Sequence, residues 1–313
     1  MDHRVLGLIL KAVGVLLLLG GVFVGFFGPV EMYCFYLFSE GGRFSYEGFG
    51  FGSFMFANIA VQIVGYYLIA AVAIPLGYGH LKLRRWARTL TIALTWFWLV
   101  TGIPLAVIFM GILITSKELT LLTVLAAMVV VGFVVLLAPV LLLWFYRGQN
   151  VRRTFEVGDP TPNPLEALPM PLLVTCVLYL FFTVAMHVPI FFNGAFPLMG
   201  FFVYDLPGFV LLDLSIWLLL GLTWGAARRR IWAWWGGVVV FGFLTCSWII
   251  TLVRSSLSDI LSHMLFAPTE MEALQGVPLQ GCHLAALIGP SFLITWGLII
   301  ASKRFYRRLV TPD

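Results

Sequence analysis

Charged side chains are scarce in this sequence. Only 11% of the residues are charged and 61% are hydrophobic, and the mean hydropathy is +1.01. Soluble domains carry roughly 25% charged residues, so a water-soluble fold could not cover its surface with this composition. In hydrocarbon every backbone N–H and C=O needs an internal partner, and long apolar runs satisfy this need as helices. The sequence therefore predicts an all-α, polytopic membrane helical bundle.

Signatures of catalysis and of cofactor binding are also missing. The sequence has no H-E-x-x-H, no G-x-S-x-G and no phosphate-binding loop. Its four cysteines fit no zinc or redox motif. As an axial haem ligand, His187 would have no second histidine well inside a span to face it. We therefore predict no cofactor, and a non-enzyme is the first hypothesis.

Eight apolar runs approach the roughly 20 residues that a helix needs to cross the bilayer core. The first, Ala12 to Phe27, lacks a small-x-small cleavage site, so we interpret it as a signal-anchor helix rather than a cleaved signal. The predicted spans are residues 8–28, 54–77, 90–114, 120–146, 171–192, 207–226, 231–253 and 283–302.

The basic residues predict the orientation, because Lys and Arg accumulate in cytoplasmic segments. With eight spans and a cytoplasmic N-terminus, 16 of the 19 basic residues fall on the inner side. Only Arg43, Lys117 and Arg254 fall on the outer side. We therefore predict an integral protein of a prokaryotic plasma membrane with both termini in the cytoplasm. This bias also explains the net charge of +5, so no nucleic-acid partner is predicted.

A nine-residue motif occurs twice, at 79–87 and at 225–233, and both copies read G-x-x-[K/R]-x-R-x-W-A. Its residues are Gly79, Arg84 and Trp86 in the first copy and Gly225, Arg230 and Trp232 in the second. A second match, Phe-Tyr-Arg, closes spans four and eight at 145–147 and 305–307. The pattern predicts two tandem four-helix repeats, residues 1–150 and 171–313, related by a pseudo-twofold axis along the membrane normal.

Residues 151–170 would form a Pro-rich cytoplasmic linker between the repeats. Five prolines between Gly158 and Pro171 predict an extended chain there rather than a helix. Within each motif copy, the glycine would end its helix in a left-handed cap and the tryptophan would anchor the next helix at headgroup depth. The alternative is convergence, since any inner loop needs basic residues and an interfacial tryptophan.

Polar residues inside or bordering the spans all fall on the predicted outer side. They are His187, Asp213, Arg254, Asn58, Gln62 and His283. Because ionisable groups in a membrane are functional candidates, one reading is an outward-facing cavity with Asp213 and Arg254 paired at its rim. The other reading is that these side chains reach water at the interface or hydrogen-bond neighbouring helices without any ligand.

The last outer loop carries Asp259 and His263 four residues apart, on one face if the segment is helical. This pair could bind a divalent metal or act as an acid and a base. Alternatively the segment is a helix that lies in the membrane interface, with both residues on its water-facing side. It would be followed by a capping box from Thr269 to Glu272.

Cys34 and Cys282 both fall on the predicted oxidising side and come from opposite halves of the chain. They form either a disulfide that joins the repeats or two free thiols, because sequence cannot place their Cα atoms within bonding range.

Three functional hypotheses remain. The first is a non-catalytic membrane module, surrounded by the lipid bilayer, that binds a partner subunit, a second copy of itself or a lipid. The second is a transporter-like bundle with an outward cavity between the repeats. An ion-coupled pump is disfavoured, because almost no ionisable residues lie near the middle of the predicted spans. The third is a membrane enzyme or metal site on the last outer loop.

Overall fold

A computed structural model describes residues 3–39, 41–46, 48–115, 120–262, 266, 268–275 and 280–306. It is 83% helical with almost no sheet. In this described part, eight helices are long and apolar enough to cross a membrane. The predicted all-α helical bundle is therefore confirmed, and its eight long apolar helices are compatible with the predicted multi-pass membrane protein.

The helices follow the predicted apolar runs, with additions between them. They are α1 His3–Phe38, α2 Phe54–Leu81, α3 Arg85–Thr115, α4 Leu121–Gly132, α5 Ala138–Arg147, α6 Gln149–Gly158, α7 Pro164–Ala167, α8 Met170–Ala185, α9 Asp205–Ala227, α10 Ile231–Arg254, α11 Leu257–Ser262, α12 Pro268–Gln275 and α13 Gly281–Ala301. A π-helical segment, Phe133–Leu137, joins α4 to α5 into the fourth span, and short 3₁₀ segments occupy Val188–Phe192 and Ser302–Phe305.

The first two helices form a long antiparallel pair because glycines let their backbones touch. A Cβ on Gly14 would lie 2.8 Å from the Leu81 nitrogen, and a Cβ on Gly77 would lie 2.7 Å from the Leu18 nitrogen. Small residues allow this close packing in membrane helices. α1 continues to Phe38, ten residues past its predicted end, so the first long loop begins later than the sequence suggested.

The second half packs around one core. α8, α9, α10 and α13 surround a set of buried side chains that includes Leu178, Phe182, Leu219, Phe241 and Phe292. α3 joins this core, since it packs against both α8 and α13. In contrast, α4 has no buried residue at all. The fourth span is therefore a peripheral helix, held mainly by α3.

A β-hairpin between α8 and α9 was not predicted. Strands β1 (Phe196–Leu198) and β2 (Phe201–Val203) pair antiparallel. The turn residues Met199 and Gly200 both have positive φ, 47° and 118°. Two hydroxyls of α10 hold this turn: Met199 N–H donates to Ser247 Oγ and Gly200 N–H donates to Thr251 Oγ1, each at 2.9 Å. The hairpin is thus packed along α10.

The first copy of the repeated motif forms a tight turn between α2 and α3. Leu83 adopts the left-handed region, with φ 48°, and Arg84 N–H donates to Gly79 O at 2.7 Å. A Cβ on Gly79 would lie 2.6 Å from Ala87 Cβ and 2.9 Å from the Trp86 ring. The prediction that Gly79 caps the helix in a left-handed conformation is wrong. The glycine instead provides room for the next helix.

The second copy forms a turn of the same geometry between α9 and α10. Arg229 is left-handed, with φ 56°, and Arg230 N–H donates to Gly225 O at 2.9 Å. A Cβ on Gly225 would lie 2.6 Å from Ala233 Cβ and 2.7 Å from the Trp232 ring. The left-handed cap predicted at Gly225 is wrong for the same reason. We call the end of the bundle that carries these two turns the basic end.

The linker between the halves is partly helical and is attached to the first motif turn. The extended chain predicted after Gly158 is interrupted by α7, which starts at a capping box of Asn163 and Glu166. Arg85 Nε lies 2.8 Å from the Glu166 carboxylate, and Arg84 Nη1 lies 3.4 Å from Asp159 Oδ1. The motif arginine Arg84 therefore binds the linker.

Candidate functional site

The polar residues predicted to line a cavity are not brought together. His187 is exposed, and its ring Nδ1 is 2.9 Å from the Thr183 carbonyl oxygen. Asn58 is exposed on α2. Gln62 Oε1 accepts a hydrogen bond from Tyr66 in the next turn, at 3.3 Å. Each side chain has its own surroundings and none points toward a shared ligand.

The predicted pair of Asp213 and Arg254 is not formed. Neither side chain belongs to an ion pair within the described residues. Arg254 lies over the hairpin turn, where a Cβ on Gly200 would be 3.1 Å from its Nη1. Asp213 is exposed, whereas its helix neighbour Leu212 is fully buried. Asp213 therefore faces away from the bundle, so it cannot line a cavity between the halves.

The residues of the last loop cap helices. Asp259 and Ser256 form reciprocal bonds at the start of α11: Ser256 N–H donates to Asp259 Oδ2 and Asp259 N–H donates to Ser256 Oγ. His283 Nδ1 accepts from Gln280 N–H at 3.0 Å, at the start of α13. Burial and then the Asp259 charge raise the pKa of Tyr204 to about 12.

His263 lies outside the described residues. Within the described ranges, no group of three or more His, Cys, Asp or Glu is placed to hold a metal ion. α12 begins at Pro268, so Thr269 lies inside the first turn rather than at the predicted N-cap. Cys34 and Cys282 are both free thiols, and Cys282 Sγ donates to Gln280 Oε1 at 3.5 Å.

Two polar contacts between distant segments were not predicted from the sequence. Glu270 is buried and accepts hydrogen bonds from the N–H groups of Phe54 and Met55, at 3.1 and 2.9 Å, which caps the start of α2. His80 is fully buried, and its Nε2 lies 2.8 Å from the Tyr146 hydroxyl. Because 216 residues separate Glu270 from Phe54, no local pattern could have indicated this contact.

The outward side of α9 is a long exposed face. It is formed by Leu206, Val210, Asp213, Leu214, Trp217, Gly221 and Trp224, which we call the α9 face. Trp217 is 72% exposed. Nothing lies within 4 Å of a Cβ built on Gly221, so the surface is open at this glycine, which lies between Trp217 and Trp224 in the sequence. The α9 face is therefore apolar except for the carboxyl group of Asp213, and it lacks a side chain at Gly221.

Asp213 lies well inside α9, away from both ends of the helix. α9 has 23 residues, which gives roughly 34 Å of helix against a hydrocarbon core about 30 Å thick. Asp213 is eight residues into the helix, so a bilayer core centred on α9 would place its Cα about 10 Å below the hydrocarbon surface. The short Asp side chain cannot reach water from this depth as Lys or Arg does.

No protein-family model, no curated protein and no solved structure matches the chain.

Proposed function

We propose that this chain is a non-catalytic integral membrane module that binds a partner membrane subunit through the α9 face. The observation that carries the proposal is the position of Asp213 on that face, pointing away from its own bundle. Ionisable residues in membrane helices almost always face a protein interior or a water-filled cavity. A second protein seated on α9 would place Asp213 in such an interior.

The energetic reason is the cost of leaving this group in lipid. Insertion measurements put an Asp at the centre of a membrane helix at roughly 2.5–3.5 kcal/mol. A donor from another helix removes much of this cost. Small residues at a helix surface let backbones approach closely, and Gly221 is such a residue, two turns from Asp213 along the same face.

The partner that fits is a transmembrane helix carrying a Lys, Arg or hydrogen-bond donor at the depth of Asp213. A second copy of this chain in the same orientation would instead place two Asp213 carboxyls at the same depth. Charge complementarity therefore favours a different subunit over a homo-oligomer. The bilayer itself covers the remaining apolar surface, including α4.

The tandem arrangement of two four-helix repeats is part of this proposal. It is supported by the matching geometry of the two motif turns and by the burial of both Phe-Tyr-Arg tyrosines, Tyr146 and Tyr306. Helix pairing within each half is also alike, since the first helix of each half packs on the second and the third on the fourth. The packing between the two halves is not symmetric, because α3 of the first half contacts both α8 and α13 of the second half.

The membrane orientation is proposed from charge. The basic end carries Arg84, Arg85, Arg147, Arg228 and Lys303. Because such residues stay on the cytoplasmic side, we place the basic end and both chain termini in the cytoplasm of a prokaryotic cell. The α9 residues around Asp213 then lie in the outer leaflet.

Photo-crosslinking in native membranes tests the partner. A photoreactive residue replaces Val210 on the α9 face or, as a matched control, Leu125 on α4, which is also exposed. We expect a discrete protein adduct only from position 210. Its crosslinked segment should be a transmembrane helix with a basic or donor residue.

The adduct should fall about tenfold in Asp213→Leu, because one interhelical polar contact is worth roughly 1–2 kcal/mol. Asp213→Asn, which keeps hydrogen bonding, should fall less. Lipid adducts alone at both positions would refute the proposal, and an adduct with a second copy of the chain would replace the partner subunit by a homo-oligomer.

A further inference from the structure

A groove lies at the basic end, between α3 and the end of the fourth span. Its volume is about 650 Å³. Leu99, Val140 and Leu143 form its apolar wall, and Trp96, Trp144 and Arg147 surround the part nearest the basic end. Arg147 is the last residue of α5, so the groove runs from headgroup depth into the hydrocarbon layer.

The charged end of the groove is a cation without an acidic partner in the described ranges. The Arg147 guanidinium carbon lies 5.9 Å from the centre of the Trp96 ring. Three other arginines of the basic end, Arg84, Arg85 and Arg152, bind carboxylates of α6 and the linker and do not line the groove. Arg147 is therefore the cation that this groove offers to an external anion.

Backbone donors lie beside Arg147. α6 starts at Gln149, and its N-cap residue Gly148 provides no side-chain cap. Within the helix the backbone bonds begin with Arg152 N–H donating to Gly148 O. The first turn of α6 therefore begins with two exposed residues, Gln149 and Asn150, and no side-chain cap, and N–H groups in such a position bind phosphate well.

We propose that this groove binds one phospholipid with a negatively charged headgroup. The phosphate would lie between Arg147 and the first turn of α6, and an acyl chain would lie along Leu99, Val140 and Leu143. A soluble anion would leave the apolar wall uncovered, whereas a neutral lipid would leave Arg147 without a counter-charge. The groove complements both parts of an anionic lipid. This site is independent of the α9 face.

The test uses the purified full chain in mild detergent, titrated with phosphatidylglycerol or phosphatidylcholine and measured by native mass spectrometry. We expect one phosphatidylglycerol to be retained per chain, preferred about fivefold over phosphatidylcholine, which is roughly the effect of one basic residue at an anionic surface. In Arg147→Gln the two lipids should bind equally. Arg153→Gln, an equally exposed arginine on α6, should keep the preference.

Two results would overturn the inference. If Arg147→Gln and Arg153→Gln lower the preference equally, the attraction is diffuse and the groove is not its source. If inorganic phosphate raises the thermal unfolding midpoint as much as phosphatidylglycerol does, the site binds a free anion rather than a lipid. Because no partner subunit is present, failure here leaves the proposal for Asp213 untouched.

Discussion

Acidic side chains act in this protein as connections between segments that are far apart in the chain. Glu270 caps α2 from the second half, and Asp159 ties the linker to the first motif turn. The Asp159 carboxylate accepts from the Thr161 hydroxyl at 3.0 Å and from the Arg85 N–H at 3.4 Å. Both carboxylates are buried, so their bonds are not easily replaced by water.

The pH dependence of the linker contact follows from Asp159. Burial acts to raise the pKa of this carboxyl, but the hydrogen bonds from Thr161 and Arg85 and the Arg84 charge outweigh it and lower the pKa. A carboxyl with a lowered folded-state pKa stabilises the fold above its unfolded value of about 3.9 and loses this effect as the pH falls below it.

We therefore expect Asp159→Asn to lower the thermal unfolding midpoint at neutral pH, with the difference from wild type disappearing as the pH falls through about 4 and below. Thermal unfolding of both proteins in detergent over a pH series measures this. Glu156→Gln serves as the control, because its pairs with Arg152 and, at 3.9 Å, with Arg85 involve a partly exposed carboxylate and contribute little. A difference that stays constant with pH would show that the Asp159 charge is not the cause.

At the scale of elements, the hairpin is the part that most needs support. The two N–H groups of its turn have no partner within the hairpin ladder, and Ser247 and Thr251 accept hydrogen bonds from both. Ser247 also donates to Pro197 O at 2.6 Å. Backbone N–H groups need a hydrogen-bond partner wherever protein covers them, and here one face of α10 provides the acceptors.

Thr251→Val should therefore destabilise the protein by about 1 kcal/mol, because it leaves the partly buried Gly200 N–H without its acceptor. Thr245→Val is the matched control. It lies on the same helix and is equally buried, but its hydroxyl only donates to Phe241 O within α10. Unfolding of both variants in mixed micelles, together with hydrogen exchange at Gly200, measures the effect.

Equal destabilisation by the two substitutions, or unchanged exchange at Gly200, would mean that the hydroxyl of Thr251 does not hold the turn.

The long helices could be predicted from the sequence. Long apolar runs indicate membrane-spanning helices, because in lipid only a helix or a closed barrel satisfies the backbone. The hairpin has no alternating pattern, since Phe196 to Val203 are nearly all apolar, and so it could not be predicted. Asp213 was identified as unusual, but α9 is apolar on every side, and its sequence does not indicate which side faces the bundle.

At the scale of the whole molecule, the two halves are built alike but joined unequally. Both motif turns share one geometry, whereas between the halves α3 packs on α8 and α13, and α2 packs on the 3₁₀ segment Val188–Phe192. The α1–α2 pair and the fourth span lie outside that core. This unequal packing leaves helix surface for other molecules, and the α9 face and the basic-end groove are two such surfaces.

The proposed orientation and the parallel repeat can be tested together by cysteine labelling. In a chain with its four native cysteines replaced, single cysteines are placed at Lys82, Arg228 and Ser258, all exposed. A membrane-impermeant thiol reagent should label Ser258→Cys in intact cells. Lys82→Cys and Arg228→Cys should react only after permeabilisation, because basic turns remain in the cytoplasm.

Each position decides a different point. Four spans separate the two motif turns, so a parallel repeat requires Lys82→Cys and Arg228→Cys to behave alike. If only one of them reacts in intact cells, the number of spans between the turns is odd and the repeat is not parallel. If both react there and Ser258→Cys does not, the protein is inverted, Asp213 lies in the inner leaflet, and the partner helix must carry its donor at that depth instead.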